Sequence, residues 1–383
     1  MHDDGSRSIE DVPHGYVAGA EEASEAQTTM AVAERGSDTV HLLPLSAEHQ
    51  DRAKAIELDI HAERLEQDGR FVYVSDGGRT IEIIDSGAWT VDHGDHVHFY
   101  RAQPRSLGSL TLEAPATTIV GNGERTVIGS ADGTVTVLDR GALEDGGRAD
   151  DAARAGRSID TDSSTALAAP LDDGLVLAVG DDPARAADRL VFTDAEGSTS
   201  GPEQECVAPE GVAILRAGVA IGCRDGVALF DPGPEPAFRL LTYGESTALR
   251  ADGFGYRPRS NEAAAPAGGG LWSVDAAHTE LRHVAVPGAV IASAASPADD
   301  ATALALDENG TLRSLDRDTG EVLAQAALDG VTGKSALELD SQRAYVTAAD
   351  KRAVYEIDYA DGLRVARSLA VPVRPDLMVE VGR

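Results

Sequence analysis

Apolar and polar residues alternate along most of the chain in short runs, and the runs come in pairs. Phe71-Val-Tyr-Val-Ser-Asp-Gly-Gly-Arg-Thr-Ile-Glu-Ile-Ile-Asp85 is the clearest pair: a β-branched run, a tight Asp/Gly turn, then a second run that ends in Asp. The same unit recurs over Arg125–Asp139, Val219–Asp231, Ala303–Asp316 and Ala344–Asp358, with weaker copies beginning near Met30, Leu175 and Phe254. Alternation about a glycine-containing turn predicts a β-hairpin. Hairpins repeating roughly every 45 residues, with room for a third and fourth strand between copies, predict an all-β chain of four-stranded antiparallel β-propeller blades. A pair of β-sandwiches is the other all-β solution, and the regular period disfavours it. Eight copies predict eight blades, or seven if the first and last share one. A single blade cannot bury both of its faces, so the ring must close.

Helical periodicity is weak throughout, and only residues 141–156 read as helical or disordered. Residues 1–28 lie outside the repeat and read as a flexible acidic N-terminal arm. Residues 29–383 read as a single β-propeller domain. Residues 257–270, rich in Ala, Gly and Pro, read as a low-complexity loop.

Charge narrows the class of function. With 65 acidic against 33 basic residues the net charge is −32, which excludes nonspecific nucleic-acid binding and disfavours docking to an anionic membrane. Such a field concentrates cations and basic partners, or simply confers solubility outside the cell. Lysine occurs only as Lys54, Lys334 and Lys351, a bias we read as coding composition. Aromatics are 4% of the chain, so Val, Leu, Ile and Ala must build the core. No apolar run is long enough to span a membrane. The opening Met1-His-Asp-Asp-Gly lacks the basic and apolar regions of a signal peptide, which implies either a cytoplasmic protein or one whose leader is gone. Cys206 and Cys223, each beside an expected strand, suit a disulfide across a hairpin. Two free thiols in a reducing cell are the alternative, and a cysteine zinc site is disfavoured because no C-x-x-C spacing occurs.

The densest chemical signal is Asp92-His-Gly-Asp-His-Val-His-Phe-Tyr100, with three of the chain's 10 histidines. In an extended segment His96 and His98 share a face, and Gly94 allows the bend that would bring in His93. Asp92 and Asp95 add carboxylates, as ligands or as acceptors that fix an imidazole tautomer. Zinc fits such a nitrogen-and-oxygen donor set best, with copper and nickel as rivals. The candidate metal ligands are therefore His93, His96 and His98, with Asp95 and His14 as secondary candidates. A solvated histidine-rich turn is the bland alternative. His41 falls inside an expected strand and reads as structural. His49, His61, His278 and His283 have no partner at ligand spacing, and Glu21 and Glu22 read as solvated. No nucleophile elbow, P-loop or zinc-protease motif is present, so no catalytic residue is assigned and the chain reads as a non-enzyme.

The Asp92–Tyr100 stretch preceded by Ser86-Gly-Ala-Trp, the opening Pro13-His-Gly-Tyr-Val-Ala-Gly-Ala-Glu-Glu22, Gly222-Cys-Arg-Asp-Gly226 and the tail from Glu356 resemble the AztD family of bacterial zinc metallochaperones. The resemblance runs from about Pro13 onward. It implies a monomeric extracytoplasmic β-propeller, secreted, periplasmic or at the cell surface. Such a protein holds Zn2+ and passes it to the solute-binding protein of a zinc ABC importer. His93, His96 and His98 match the family's metal motif, with Asp95 nearby. Where the family pattern leads one to expect further histidines, this chain has Thr117 and Gly121, Ser163 and Ser164, and Val-Ala-Pro-Glu-Gly after Cys206. A metal-free propeller scaffold for protein–protein interaction is the competing expectation.

Overall fold

Every Asp-punctuated pair folds as two adjacent antiparallel strands. In the computed structural model, which describes residues 20–46, 52–92, 97–194, 197–246, 248–298 and 302–383, the turns explain why. At the tip of the Asp307 turn, Asp307 Oδ1 accepts from the amides of Asn309 and Thr311, both at 2.9 Å. Asp76 does the same for Gly78 and Thr80 at 2.7 and 3.1 Å. A short acid side chain thus satisfies the turn's own backbone donors. Gly133 and Gly310 sit in the left-handed region in equivalent turns. A Cβ at either would come within 2.1 Å of a carbonyl oxygen, Ser163 and Val331 respectively. These glycines therefore serve both the turn and the close approach of the following segment.

Each of the eight sequence copies seeds one sheet. Six of these sheets are successive meanders: Arg64–Gln67 to Arg105–Thr111, Ala116–Gly121 to Arg157–Asp160, Ala168–Leu171 to Thr199–Glu205, Glu210–Leu215 to Ala237–Thr242, Ile291–Ala295 to Val322–Ala327, and Leu337–Leu339 to Arg364–Ala370. All six are four-stranded. The sheet containing Thr29–Ala33, Thr39–Pro44 and Lys54–Glu57 takes its fourth strand from the far end of the chain. Leu377–Val381 pairs antiparallel with Thr29–Ala33, from Thr29 opposite Val381 to Ala33 opposite Leu377. The architecture is a β-propeller, and this shared sheet joins its ends. A ninth, three-stranded sheet lies apart from the meanders and is described below.

The core lies between neighbouring sheets. Val40 and Leu42 of one pack with Val72, Val74 and Ile84 of the next, and Leu377 and Val379 close the same cluster. Two short helices, α1 (Arg140–Glu144) and α2 (Ala149–Ala155), occupy the segment read as helical or disordered. Leu143, Ala149 and Ala152 bury against Leu107 and Leu110 of the preceding sheet. Asp68, also between these two sheets, accepts from the Tyr73 hydroxyl at 2.6 Å and the Thr126 hydroxyl at 2.8 Å, and pairs with Arg140.

One expectation is corrected. Residues 257–270 are not a loop: Glu262–Pro266 is a buried strand paired with Gly270–Asp275. Ala263, Ala264 and Ala265 are fully buried, so the alanines are small because neighbouring sheets press on both sides. The strand before them shrinks to Gly255, which exchanges both backbone hydrogen bonds with Ala264. Cys206 and Cys223 are bonded across a hairpin, as expected: they flank the open end of Glu210–Leu215 and Gly218–Gly222, whose register begins with Glu210 opposite Gly222. Cys206 also directly follows the last strand of the preceding sheet, so the bond ties that sheet to the hairpin as well. Within the segment expected as an N-terminal arm, Glu21–Ala23 forms a strand; residues 1–19 lie outside the described residues.

The innermost strands bring carboxylates together. Burial pushes Glu66 and Glu338 up to about 7 each, against the weaker pull of Arg64 on the first and Arg383 on the second. Glu380, fully buried, is raised by the same cause and paired with Arg383. Tyr256, whose hydroxyl accepts from the Ile214 amide at 3.1 Å, is raised by burial and also feels Glu338 and Glu66.

Two predictions follow from this frame. Folded, Glu66 and Glu338 keep their protons up to about pH 7, whereas their ordinary value is 4.5. The folded state therefore binds more protons between these limits, and stability falls as pH rises through that window. The E66Q/E338Q variant should melt higher than the parent at pH 8 and show a flatter profile from pH 5 to 8. A variant that melts lower at pH 8 contradicts the assignment. Replacing both cysteines by alanine should cost about 3 kcal/mol in chemical denaturation, with reductant lowering the parent toward the variant.

Candidate functional site

A hairpin is inserted into one sheet between its third strand, Thr80–Asp85, and its fourth, Arg105–Thr111. Its arms are Ala88–Asp92 and Val97–Arg101. The chain enters through Ser86 and Gly87 and leaves through Ala102. The Ala102 amide donates to the Gly87 carbonyl at 2.6 Å. Gly87 has φ +71°, and a Cβ there would lie 2.4 Å from the Ala102 oxygen, so this crossing requires glycine. Glu21–Ala23 adds a third strand on the outer arm, with Glu22 opposite Tyr100.

The hairpin is anchored by aromatic and ionic contacts. Trp89 and Tyr100, directly opposed, stack at 5.5 Å between ring centroids and bury Ala20 beside them. The Arg70 guanidinium lies 4.0 Å from the Trp89 ring centroid. It also donates to both oxygens of Asp85, at 3.1 and 2.8 Å. Arg70 is 3% exposed and Asp85 2%, so this pair is desolvated and held by a two-pronged fork.

His98 projects on the same face as Tyr100, its ring 6.2 Å away. Its Nδ1 lies 2.8 Å from Glu22 Oε1. A carboxylate only accepts, so Nδ1 carries a hydrogen, and in the neutral imidazole the lone pair is then on Nε2. That neutral tautomer is the one that can bind a metal through Nε2 with a carboxylate behind the ring. Next to it, Arg101 donates through Nε and a terminal nitrogen to Glu21 Oε2, at 3.0 and 2.7 Å. Glu21 and Glu22 are exposed, as expected, yet both also pair with the hairpin. Nothing local could have shown this, because the partners are 80 and 76 positions away.

His98 is the one candidate ligand that the structure places. His93, Asp95, His96 and His14 lie outside the described residues. Among the described residues no three His, Cys, Asp or Glu side chains gather closely enough to hold a metal. The other described histidines behave as structural or surface groups. His41 lies in the strand Thr39–Pro44 and burial lowers its pKa. His283 packs on Trp272 and is lowered in the same way. His278 pairs with Asp275 at 2.9 Å.

The positions where the family pattern would add histidines are occupied by structural interactions. A Cβ at Gly121 would meet the Asp68 Cβ at 2.3 Å. The Thr117 hydroxyl donates to the Ala166 carbonyl at 3.2 Å. Buried Ser163 hydrogen-bonds Thr161 at 2.9 Å and the Thr165 carbonyl at 3.1 Å.

Comparison with known proteins places the fold. A family model described as outer membrane protein assembly factor BamB matches residues 262–372. Among solved structures, AztD from Citrobacter koseri is similar with a TM-score of 0.77 and 17% identity, over 93% of this chain and 98% of that one. Its apo form matches equally. The dihydro-heme d1 dehydrogenase NirN, in complex with DHE, is similar with a TM-score of 0.57 and 14% identity, over 94% of this chain and 76% of that one. The AztD resemblance read from the sequence thus holds for the fold.

The buried Arg70 makes the hairpin's base testable. Arg70→Ala leaves Asp85 as an uncompensated buried charge and strips the cation from Trp89. It should cost about 3–5 kcal/mol in urea unfolding; a loss below about 1 kcal/mol, the range of exposed ion pairs, would show that the pair is not desolvated in solution.

Proposed function

We propose that this protein is an extracytoplasmic zinc-binding metallochaperone. On this reading the inserted hairpin takes up Zn2+ and delivers it to the solute-binding protein of a zinc ABC importer. The observation that carries the reading is His98, an imidazole at the mouth of a histidine-rich turn with Glu22 fixing its tautomer. Nε2 of His98 would bind the ion, with His93 and His96 as the remaining nitrogen donors and Asp95 as a nearby carboxylate. The AztD-like fold supports the assignment, as does the sequence motif. The disulfide fits an oxidising compartment, and no helix among the described residues is long and apolar enough to cross a membrane. The chain then acts by binding and release, without catalysis.

Handover needs a site from which ligands can leave one at a time. A site carried on an inserted hairpin meets that need better than a cage buried between sheets. The net charge of −32 raises the local concentration of divalent cations around it.

A second reading, a metal-free propeller scaffold, is favoured by one observation: Gly121, Thr117 and Ser163 are tied up in packing and hydrogen bonds. The two readings differ in a simple measurement. Under the zinc reading, chelator competition detects tight zinc binding that H96A/H98A abolishes, and Glu22→Gln weakens it about 10- to 100-fold. Zinc also raises the melting temperature, because it binds only the native state. A melting temperature indifferent to zinc, with no affinity lost in H96A/H98A, selects the scaffold.

A further inference from the structure

A cavity of about 530 Å³ opens where the sheet carrying Thr39–Pro44 and Lys54–Glu57 meets the foot of the inserted hairpin. Its volume falls in the range of small-molecule sites. Leu42, 1% exposed, and Pro44 are among its apolar lining residues. Among the described residues, three cationic side chains, Arg52, Lys54 and Arg101, line it together with one carboxylate, Glu21.

We propose that this cavity binds a small anion bearing carboxylate or phosphate groups. Glu21 is engaged by Arg101 through two hydrogen bonds to the same oxygen, so that pair is balanced. Arg52 and Lys54 make no ion pair among the described residues, and both are pure donors. The Arg fork suits two oxygens of one anionic group, and the Lys ammonium adds a point charge.

The protein's overall charge opposes anion binding, so the ranges of the two effects decide. At physiological salt the screening length is about 8 Å. Carboxylates on distant sheets are therefore largely screened, whereas Arg52 and Lys54 act at contact. The other wall of the cavity includes Gly87, Ala88 and Ala102, the crossing through which the chain enters and leaves the hairpin. An anion seated here bridges Lys54 of one sheet to that crossing.

The test uses the full chain stripped of metal, so its outcome is independent of zinc binding. Inorganic phosphate and citrate are titrated calorimetrically at constant ionic strength held with sodium chloride. Saturable binding is expected for at least one of the two, and the responsive probe identifies the preferred group. In R52A/K54A the affinity should fall about tenfold or more, equivalent to about 1.4 kcal/mol, with the ligand-free melting temperature unchanged. Single K54E should lose binding comparably, by charge reversal on an exposed outer strand. Absence of saturable binding with both probes, or undiminished affinity in R52A/K54A, overturns the proposal.

Discussion

The pairing of Leu377–Val381 with Thr29–Ala33 is the constraint on which the rest rests. Each sheet has two faces to bury, and its two neighbours supply the cover. Without the shared sheet, the first and last neighbours would each expose an apolar face such as that formed by Met30, Val32, Tyr345 and Val354. Closure also forces the innermost strands together, and that explains the carboxylates held at high pKa there. Glu66, Glu338 and Glu380 lie on strands that the ring draws to its centre, with Arg383 near two of them. The energetic cost of burying those acids is offset by the apolar burial between sheets.

Closure also fixes where variation is tolerated. A hairpin inserted between the third and fourth strands of a sheet disturbs no inter-sheet core, because it leaves at the outer part of the meander. Ser86 and Gly87 hold the exit, and Arg70, buried between Asp85 and Trp89, ties the hairpin's base to the sheet beneath. The strand Glu21–Ala23 then ties the start of the chain to the same hairpin. The hairpin thus combines a rigid root with a terminal turn, the arrangement by which a scaffold presents a binding loop.

How much of this was legible depends on the range of the interaction. The Asp-Gly hairpins were readable because their determinants are local: Asp307 satisfies amides two and four residues on. The strand Glu262–Pro266 was not, because Ala263, Ala264 and Ala265 owe their strand conformation to neighbouring sheets, and alanine itself carries little β preference. The Cys206–Cys223 bond was readable from spacing as a bond across a hairpin, whereas the tie it adds to the preceding sheet depends on where that sheet ends, a point that spacing does not encode. The histidine cluster stood out by density alone. Glu22, which fixes the His98 tautomer, did not, since it lies in a segment with no repeat signal and reaches its partner only through the pairing of Glu22 with Tyr100.

The same comparison bears on how a metal could be held and released. In a closed propeller a donor between sheets is packed on both sides, and Gly121 and Ser163 show what such positions do in this chain: one admits a neighbour's Asp68, the other completes a hydroxyl network. Neither leaves room for an imidazole. On the metallochaperone reading, the protein's own donors must then come from the hairpin turn and the strand beside it. On that reading a partner would add a ligand before the first imidazole leaves. On the same reading Glu22, which contacts Nδ1 of His98 at 2.8 Å, would leave Nε2 as the donor and would not itself need to move during exchange. Retention would depend on the number of donors the turn contributes, and release on the ease with which the partner replaces them. The packing that excludes additional ligands from the ring is thus compatible with a carrier, which must bind firmly enough to load and loosely enough to deliver.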